Sequence, residues 1–191
     1  MTGLKKIVID TSIFINPQSL KFFGSNSQEA LVNFVQKARR RKILLYMPPS
    51  TFEELLKFLK DVNLPLEELS YIIKKPPKKY EIFVPSLFLY ELVEEMRRRI
   101  NRGLRIAEKY SRYGLSKKKE EEELIKSLRE EFRIALREGI IDSLQDVDLL
   151  ILAKELEGAL LSSDQGLIKW AEKLGIEILD LKEIKQILSK T

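Results

Sequence analysis

Aspartate residues stand at several points of this sequence where an apolar run ends or a helix can begin. The five that could act together are Asp10, Asp142, Asp146, Asp148 and Asp164. Carboxylates that meet in one place repel one another unless a cation lies between them. Oxygen ligands favour Mg²⁺, or Mn²⁺, over softer metals. The pattern therefore predicts a divalent-metal site, provided that the fold brings these residues together.

The spacing of the aspartates limits how many can share one ion. Asp142 and Asp146 are one helical turn apart, and Asp148 follows two residues later. At most two of the three can share a helical face unless Asp142 lies in the preceding loop. We expect two of them to face the metal and the third to act through water or as a cap. Taken alone, Asp146 or Asp164 would more simply be a helix cap.

Composition removes several other chemistries. The 191 residues include no cysteine and no histidine, which excludes zinc fingers, thiol nucleophiles and histidine bases. Catalysis would depend on carboxylates, hydroxyls, amines and a hard metal ion. The hydrophobic and charged fractions, 44% and 33%, are typical of a globular protein. No apolar run approaches the roughly 18 residues of a membrane span, so we expect no membrane partner and a cytoplasmic location.

The elements that would position the acids alternate between strand and helix. Strands are predicted at 5–10, 43–47, 159–162 and 176–179 from apolar, β-branched runs. Helices are predicted at 27–41, capped by Ser27, at 50–60, from Pro65, at 146–157, at 164–174 and after Asp180. Ser50 and Glu53 fit a capping box. The alternation predicts an α/β fold, a parallel sheet with helices on both faces. Its strand ends would gather the acids.

The middle of the chain interrupts this alternation. Apolar residues recur at helical spacing over 86–113, Gly114 can end that helix, and Ser116 can cap another to about 138. Such a pair predicts an antiparallel hairpin. We therefore assign 1–85 and 139–191 to one domain and 86–138 to a helical hairpin insertion.

The hairpin is rich in positive charge. Residues 97–119 contain ten lysines and arginines, with Glu108 as the one acid. A run of charged residues is ordinarily a solvated helix face. Here the excess of positive over negative charge is too large for the residues to pair with one another in surface salt bridges. A phosphate backbone would relieve the repulsion. The predicted RNA contacts are Arg97, Arg98, Arg99, Arg102, Arg105, Lys109 and Arg112. The apolar stripe of the same helix also needs a partner, either neighbouring subunits or the chain's own sheet.

Four segments resemble the motifs of PIN-domain nucleases, in the same order along the chain. They are IVIDTSIFI at 7–15, PSTFEEL at 49–55, DLLILA at 148–153 and LLSSDQGL at 160–167. The resemblance covers about two-thirds of the sequence. It implies that Asp10, Asp148 and Asp164 belong to a metal site, and it adds Glu54 as a further candidate ligand.

The long hairpin and the extra aspartates narrow the resemblance to the small protein-only ribonuclease P group. That resemblance implies removal of 5′ leaders from precursor tRNA, dependence on a metal, and a large homo-oligomer built through the hairpin. Ser12 and Ser162 would donate hydrogen bonds to the ligating carboxylates. No side chain is an obvious general base, so activation of water would fall to the metal.

Two other functions fit parts of the sequence. A toxin-type PIN endoribonuclease would cut a different RNA and bind an antitoxin. A non-catalytic RNA-binding scaffold would use its acids only as caps and in salt bridges. Clustered carboxylates argue against the scaffold, since it has no need of them.

Overall fold

The computed structural model describes residues 5–59, 64–115, 120–137, 141 and 143–189. In these ranges four parallel strands form one sheet in the order β3-β2-β1-β4. They are β1 (Lys6–Ile9), β2 (Leu44–Met47), β3 (Ile72–Lys74) and β4 (Ala159–Leu161). In β1, Ile7 lies opposite Leu45 on one side and Ala159 on the other. The predicted α/β fold with a parallel sheet is confirmed.

Helices fill most of the remaining described sequence. They are α1 (Ser12–Ile15), α2 (Pro17–Phe23), α3 (Ser27–Arg40), α4 (Pro49–Phe58), α5 (Leu66–Tyr71), α6 (Ser86–Leu115), α7 (Glu121–Arg137), α8 (Leu144–Leu156), α9 (Gln165–Lys173) and α10 (Leu181–Ser189). Asp180 and Glu183 cap α10 reciprocally, as predicted, through their side chains and backbone N–H groups.

The core explains why β1 is central. Its residues Ile7, Val8 and Ile9 have no exposed surface, because both faces of the sheet are covered. On one face Phe34 of α3 makes an edge-to-face contact with Phe14, with ring centroids 5.6 Å apart. Helix α8 also packs against the sheet, at β1 and β4. The strand that precedes Asp10 is therefore fixed from both sides.

Several predicted elements differ from the structure. The short helices α1 and α2 and the strand β3 were not predicted. The predicted strand at 176–179 is reduced to one bridge, between Leu160 and Ile178. Asn26, rather than Ser27, caps α3 by accepting a hydrogen bond from the N–H of Glu29. Ser116, at the predicted start of the second hairpin helix, lies outside the described residues.

The chain forms two compact units, which we describe separately. One comprises Met1–Phe83 with Ser143–Thr191, and the other comprises Val84–Asp142. The assignment of 1–85 with 139–191 to a nuclease domain, and of 86–138 to an insertion, stays a prediction.

Within the second unit, α6 packs along α7. A Cβ atom on Gly103 would lie 2.6 Å from the ring of Phe132, so a larger residue there would require the ring to move. Lys109 bonds Glu131 across the pair at 2.8 Å. The predicted α-helical hairpin is therefore present in the described residues. Among the helices in these ranges, none combines the length and apolar character of a membrane span.

The cap of α3 provides a test of the local structure. We expect Asn26→Ala to lower the free energy of unfolding by about 1 kcal/mol, because the N–H of Glu29 loses its acceptor. Ser27→Ala is the matched control and should change it little. Urea denaturation of both variants measures the difference. An equal loss in both would contradict this assignment of the cap.

Candidate functional site

Asp10 directly follows β1, which lies between β2 and β4 in the sheet. Its backbone N–H donates to Leu161 O at 3.0 Å, which continues the pairing of β1 with β4 by one residue. The side chain of Ser162, directly after β4, therefore reaches Asp10. Ser162 Oγ donates to Asp10 Oδ2 at 2.6 Å, and Ser12 Oγ donates to the same oxygen at 2.5 Å. The two predicted hydroxyl donors thus meet on one carboxylate oxygen.

Among the described residues no cation pairs with the buried carboxylate of Asp10. The residue is 7% exposed, and the side-chain partners it has in the described part of the chain are hydroxyl groups. Hydroxyls satisfy hydrogen bonds but do not neutralise charge. Burial of an uncompensated carboxylate is costly. The site is therefore suited to a cation.

Thr11 connects Asp10 to Glu54. Its Oγ1 lies 3.4 Å from Asp10 Oδ1 and 3.2 Å from Glu54 Oε2. A hydroxyl carries one proton, so it donates to one of the two carboxylates at a time. Two acidic groups on different elements, the end of β1 and α4, are thereby held around one side chain.

Helix α4 also reaches Asp148. Ser50 Oγ donates to Asp148 Oδ2 at 3.2 Å. Ser50 and Glu54 are one turn apart on the same face of α4. That face therefore contacts Asp148 at one position and the Thr11–Asp10 pair at the next. The predicted capping box is wrong, since α4 begins after Pro48 without a side-chain cap bond.

Asp148 differs from Asp10 in having a cation beside it. It is 9% exposed, and Lys79 Nζ lies 2.7 Å from its Oδ1 as an ion pair. Among the described residues this buried oxygen has no hydrogen-bond partner, so Lys79 meets it as a charge. Lys79 belongs to the segment that follows β3, which sequence reasoning did not connect with the site.

The same segment is attached to α8 a second time, at Glu155. Lys75 Nζ pairs with Glu155 at 2.8 Å, and the backbone N–H of Lys78 donates to it at 2.9 Å. Burial by itself would raise the pKa of the Glu155 carboxyl. The hydrogen bonds from Lys75 and Lys78 outweigh burial and hold that pKa below its usual value. The attachment is therefore ionic at neutral pH.

The other predicted ligands lie in different surroundings. Asp146 is half-buried in the first turn of α8, and its N–H is capped by Ser143 Oγ at 3.1 Å. Asp164 is exposed and caps α9 through Oδ1, which accepts from the N–H groups of Gly166 and Leu167. Asp142 lies outside the described residues. Within the described ranges no three acidic residues are close enough to hold one ion.

Helix α6 carries the predicted RNA contacts, and the structure divides them into two groups. Arg98 pairs with Glu94 at 3.0 Å, Arg99 with Glu95 at 3.3 Å, and Lys109 with Glu131. The hydrogen bond from Lys109 lowers the pKa of Glu131, and Glu131 raises that of Lys109. Acids just before the run and Glu131 on α7 therefore neutralise part of it, which reduces the imbalance that the sequence predicts.

Arg99 is the clearest change among these residues. It is 7% exposed and packed inside the structure, so its guanidinium is poorly placed to reach a phosphate. We therefore leave Arg99 out of the RNA-contact set. Arg97, Arg105 and Arg112 are exposed, and they recur near multiples of seven residues, which places them along one side of α6.

A second side of α6 is apolar and exposed. Its members are Leu89, Val93, Met96, Ile100 and Leu104, each between 51% and 66% exposed. We call these residues the apolar stripe. The third side, with Gly103 and Ile106, is buried. The hairpin thus pairs with itself through one side of α6, while the apolar stripe stays uncovered by the described residues.

Sequence reasoning missed several residues that contact the site or its surroundings. Thr11 lies in the motif at 7–15, but the sequence predicts no role for it, and the local pattern predicts that Ser50 is a cap. Lys79 gave no signal, because a lysine in a loop has no fixed spatial relation to a helix elsewhere in the chain.

Comparison with known proteins gives a consistent picture. The chain matches the family of PINc domain ribonucleases over residues 6–191. It is 48% identical to a protein of Thermodesulfovibrio yellowstonii named RNA-free ribonuclease P, over 96% of this chain and 93% of that protein. A protein of the same name from Pyrococcus furiosus is 42% identical, over 97% and 93%. Another, from Nitrosococcus oceani, is 40% identical, over 97% and 94%. The chain therefore belongs to the PINc domain ribonucleases, within the group of RNA-free ribonuclease P proteins.

Proposed function

We propose that this protein is a metal-dependent endoribonuclease that removes 5′ leaders from precursor tRNA in the cytoplasm. The observation that carries the chemical part is the buried carboxylate of Asp10, which hydroxyl groups orient but do not neutralise. The substrate follows from relatives named RNA-free ribonuclease P that align over nearly the full chain. A scaffold with acids only as caps does not account for buried Asp10 or Asp148.

The residues around Asp10 fit a hard divalent ion, Mg²⁺ or Mn²⁺. The available donors are all oxygen atoms, and the charge they carry is negative. Asp10 and Asp148 would hold the ion, with Glu54 beside them. Asp142, Asp146 and Asp164 remain proposed members of the same set. A bound divalent ion would supply Lewis-acid activation of water and stabilise charge on the leaving oxygen.

The chain's own contribution is to orient these acids before substrate arrives. Ser12 and Ser162 both donate to Oδ2 of Asp10. The contact of Oδ1 is a long one, to Thr11, so this oxygen can accept a further ligand. Ser50 likewise donates to Oδ2 of Asp148 and leaves Oδ1 to a cation. Supporting hydrogen bonds of this kind fix carboxylate orientation and influence metal affinity.

The metal proposal predicts the effect of removing one charge. We expect Asp10→Asn and Asp148→Asn each to slow leader removal by about two orders of magnitude or more, since a metal contributes several kcal/mol to such a reaction. Folding and RNA binding should change little. The assay incubates purified protein with 5′-extended precursor tRNA, in Mg²⁺ or in EDTA, and maps the ends.

Glu177→Gln is the control for this assay, because Glu177 forms an exposed ion pair with Lys5. It should keep full activity. Normal cleavage by both aspartate variants at saturating Mg²⁺ would refute the metal assignment. Preferential cleavage of an unrelated RNA by the wild-type protein would favour the toxin-type alternative.

We further propose that the exposed arginines of α6 contact the RNA backbone. Arg97, Arg105 and Arg112 lie on one side of the helix, where a phosphate backbone can run alongside them. Arg102 stays in the proposed set. Arg98 and Lys109 have carboxylate partners, Glu94 and Glu131. Contacts of this kind determine affinity and register but read no bases.

This division predicts different salt dependences for two double variants. Arg97→Gln with Arg105→Gln should weaken precursor tRNA binding and reduce the log–log salt slope by roughly 0.7–0.9 per lost phosphate contact. Arg98→Gln with Lys109→Gln is the control and should reduce it less. Binding is measured by fluorescence anisotropy over a range of KCl concentrations. Equal slopes for the two variants would contradict the assignment.

The apolar stripe supports a homo-oligomer, which we propose forms through the hairpin. Five large apolar side chains at least half exposed along one helix form a patch that a protein rarely leaves in water. A second copy of the hairpin offers a matching surface. At about 1.5 Å per residue, the 30 residues of α6 span about 45 Å, which gives a long contact.

Charge on the apolar stripe should therefore reduce the assembly. We expect Ile100→Glu with Leu104→Glu to lower the molar mass found by multi-angle light scattering, without loss of helical circular dichroism. Leu144→Glu, which alters a 78% exposed leucine in the other unit, is the control and should keep the mass. An unchanged mass in the stripe variant would exclude this surface as the subunit contact.

A further inference from the structure

The ammonium group of Lys79 lies at the carboxylate of Asp148, which is one of the proposed metal ligands. Lys79 is on the segment after β3, and its ammonium group lies against Asp148 Oδ1. That oxygen is the one which Ser50 leaves available, since the serine bonds Oδ2. An ammonium group and a metal ion cannot both occupy the position beside Oδ1. Lys79 and a metal therefore compete for the same ligand atom.

The position of Lys79 is determined by more than this one contact. The segment bonds Glu155 through Lys75 and the N–H of Lys78, and Glu155 lies seven residues after Asp148. Residues seven apart share a helical face, so the segment runs along one side of α8. At its other end, the N–H of Lys75 donates to Met47 O at 3.1 Å. Lys79 is thus held beside the site while its own side chain stays 53% exposed.

We propose that Lys79 is a substrate-positioning residue: it pairs with Asp148 until a metal ion takes that carboxylate, and then contacts the phosphate to be cleaved. This inference rests on the proposed metal-dependent function. The Lys79 side chain can move without a change in the backbone, because it is half exposed. The contacts of Lys75 and Lys78 with Glu155 hold the segment in place independently of Lys79. An ammonium group released beside a bound dication would be placed to pair with an RNA phosphate that approaches that ion.

The first test measures metal binding without RNA. Lys79→Met keeps the length of the stem and removes the charge. We expect it to bind Mn²⁺ about two- to fivefold more tightly in calorimetry, the range for loss of a half-exposed ion pair. Lys78→Met is the matched control, because Lys78 is also 53% exposed but pairs with Glu81. Its Mn²⁺ affinity should equal that of the wild type.

The second test measures the phosphate contact. With Ca²⁺ in place of Mg²⁺, Lys79→Met should bind precursor tRNA more weakly and lose roughly 0.7–0.9 from the log–log salt slope. Lys79→Arg should restore both, since it returns the charge. A structural role for Lys79 would not produce tighter metal binding together with a reduced salt slope.

The outcomes separate this inference from the proposed function. Normal Mn²⁺ binding by the wild type, with the same affinity in Lys79→Met, would overturn the competition and leave the metal site intact. Tighter metal binding with an unchanged salt slope would overturn the phosphate contact. Absence of Mn²⁺ binding in every variant, the wild type included, would refute the metal site and this inference with it.

Discussion

A carboxylate that folding has removed from water must find donors and a compensating charge, and Asp10 is in that position at the end of the central strand. Its strand is covered on both faces, so the side chain cannot turn out to solvent without disrupting β1. The hydroxyls of Ser12 and Ser162 supply donors, and they come from the two segments that follow neighbouring parallel strands. The sheet topology therefore creates both the burial and the means of tolerating it. What it leaves unmet is the charge, and the proposed chemistry begins there.

Helix α4 extends this arrangement to the second buried acid. A single face of that helix contacts Asp148 through Ser50 and approaches Asp10 through Glu54 and Thr11. Because α4 is rigid over one turn, the two acids are positioned relative to each other by a helix rather than by a loop. Lys79, on the segment that follows β3, adds an ion pair to Asp148. Residues distant in sequence thus form one connected set of polar contacts.

The sequence was sufficient for the parallel sheet, the acid after β1, the hairpin and the cap of α10, because each depends on local periodicity or on neighbouring residues. Prediction failed where tertiary contacts decided. Ser50 and Glu53 satisfy a local capping rule, yet Ser50 bonds an aspartate 98 positions later. The segment at 176–179 has strand composition, but only Ile178 pairs, beside the edge strand β4. The sequence gives no indication of the contact between Lys79 and Asp148 or of the burial of Arg99, since neither the neighbour nor the burial of a charged side chain can be obtained from spacing.

Gly103 has a mechanical consequence for the hairpin. The ring of Phe132 occupies the space where any other residue at position 103 would place its Cβ atom, so the ring seats against the backbone of α6 at this point. Sliding α7 by one turn, about 5.4 Å, would bring the ring against a full side chain of α6. The contact of Phe132 with Gly103 therefore favours one axial register of the two helices. Every described side chain on the paired part of α6 then has a constant neighbour on α7, so the basic and apolar sides of the pair keep one fixed alignment.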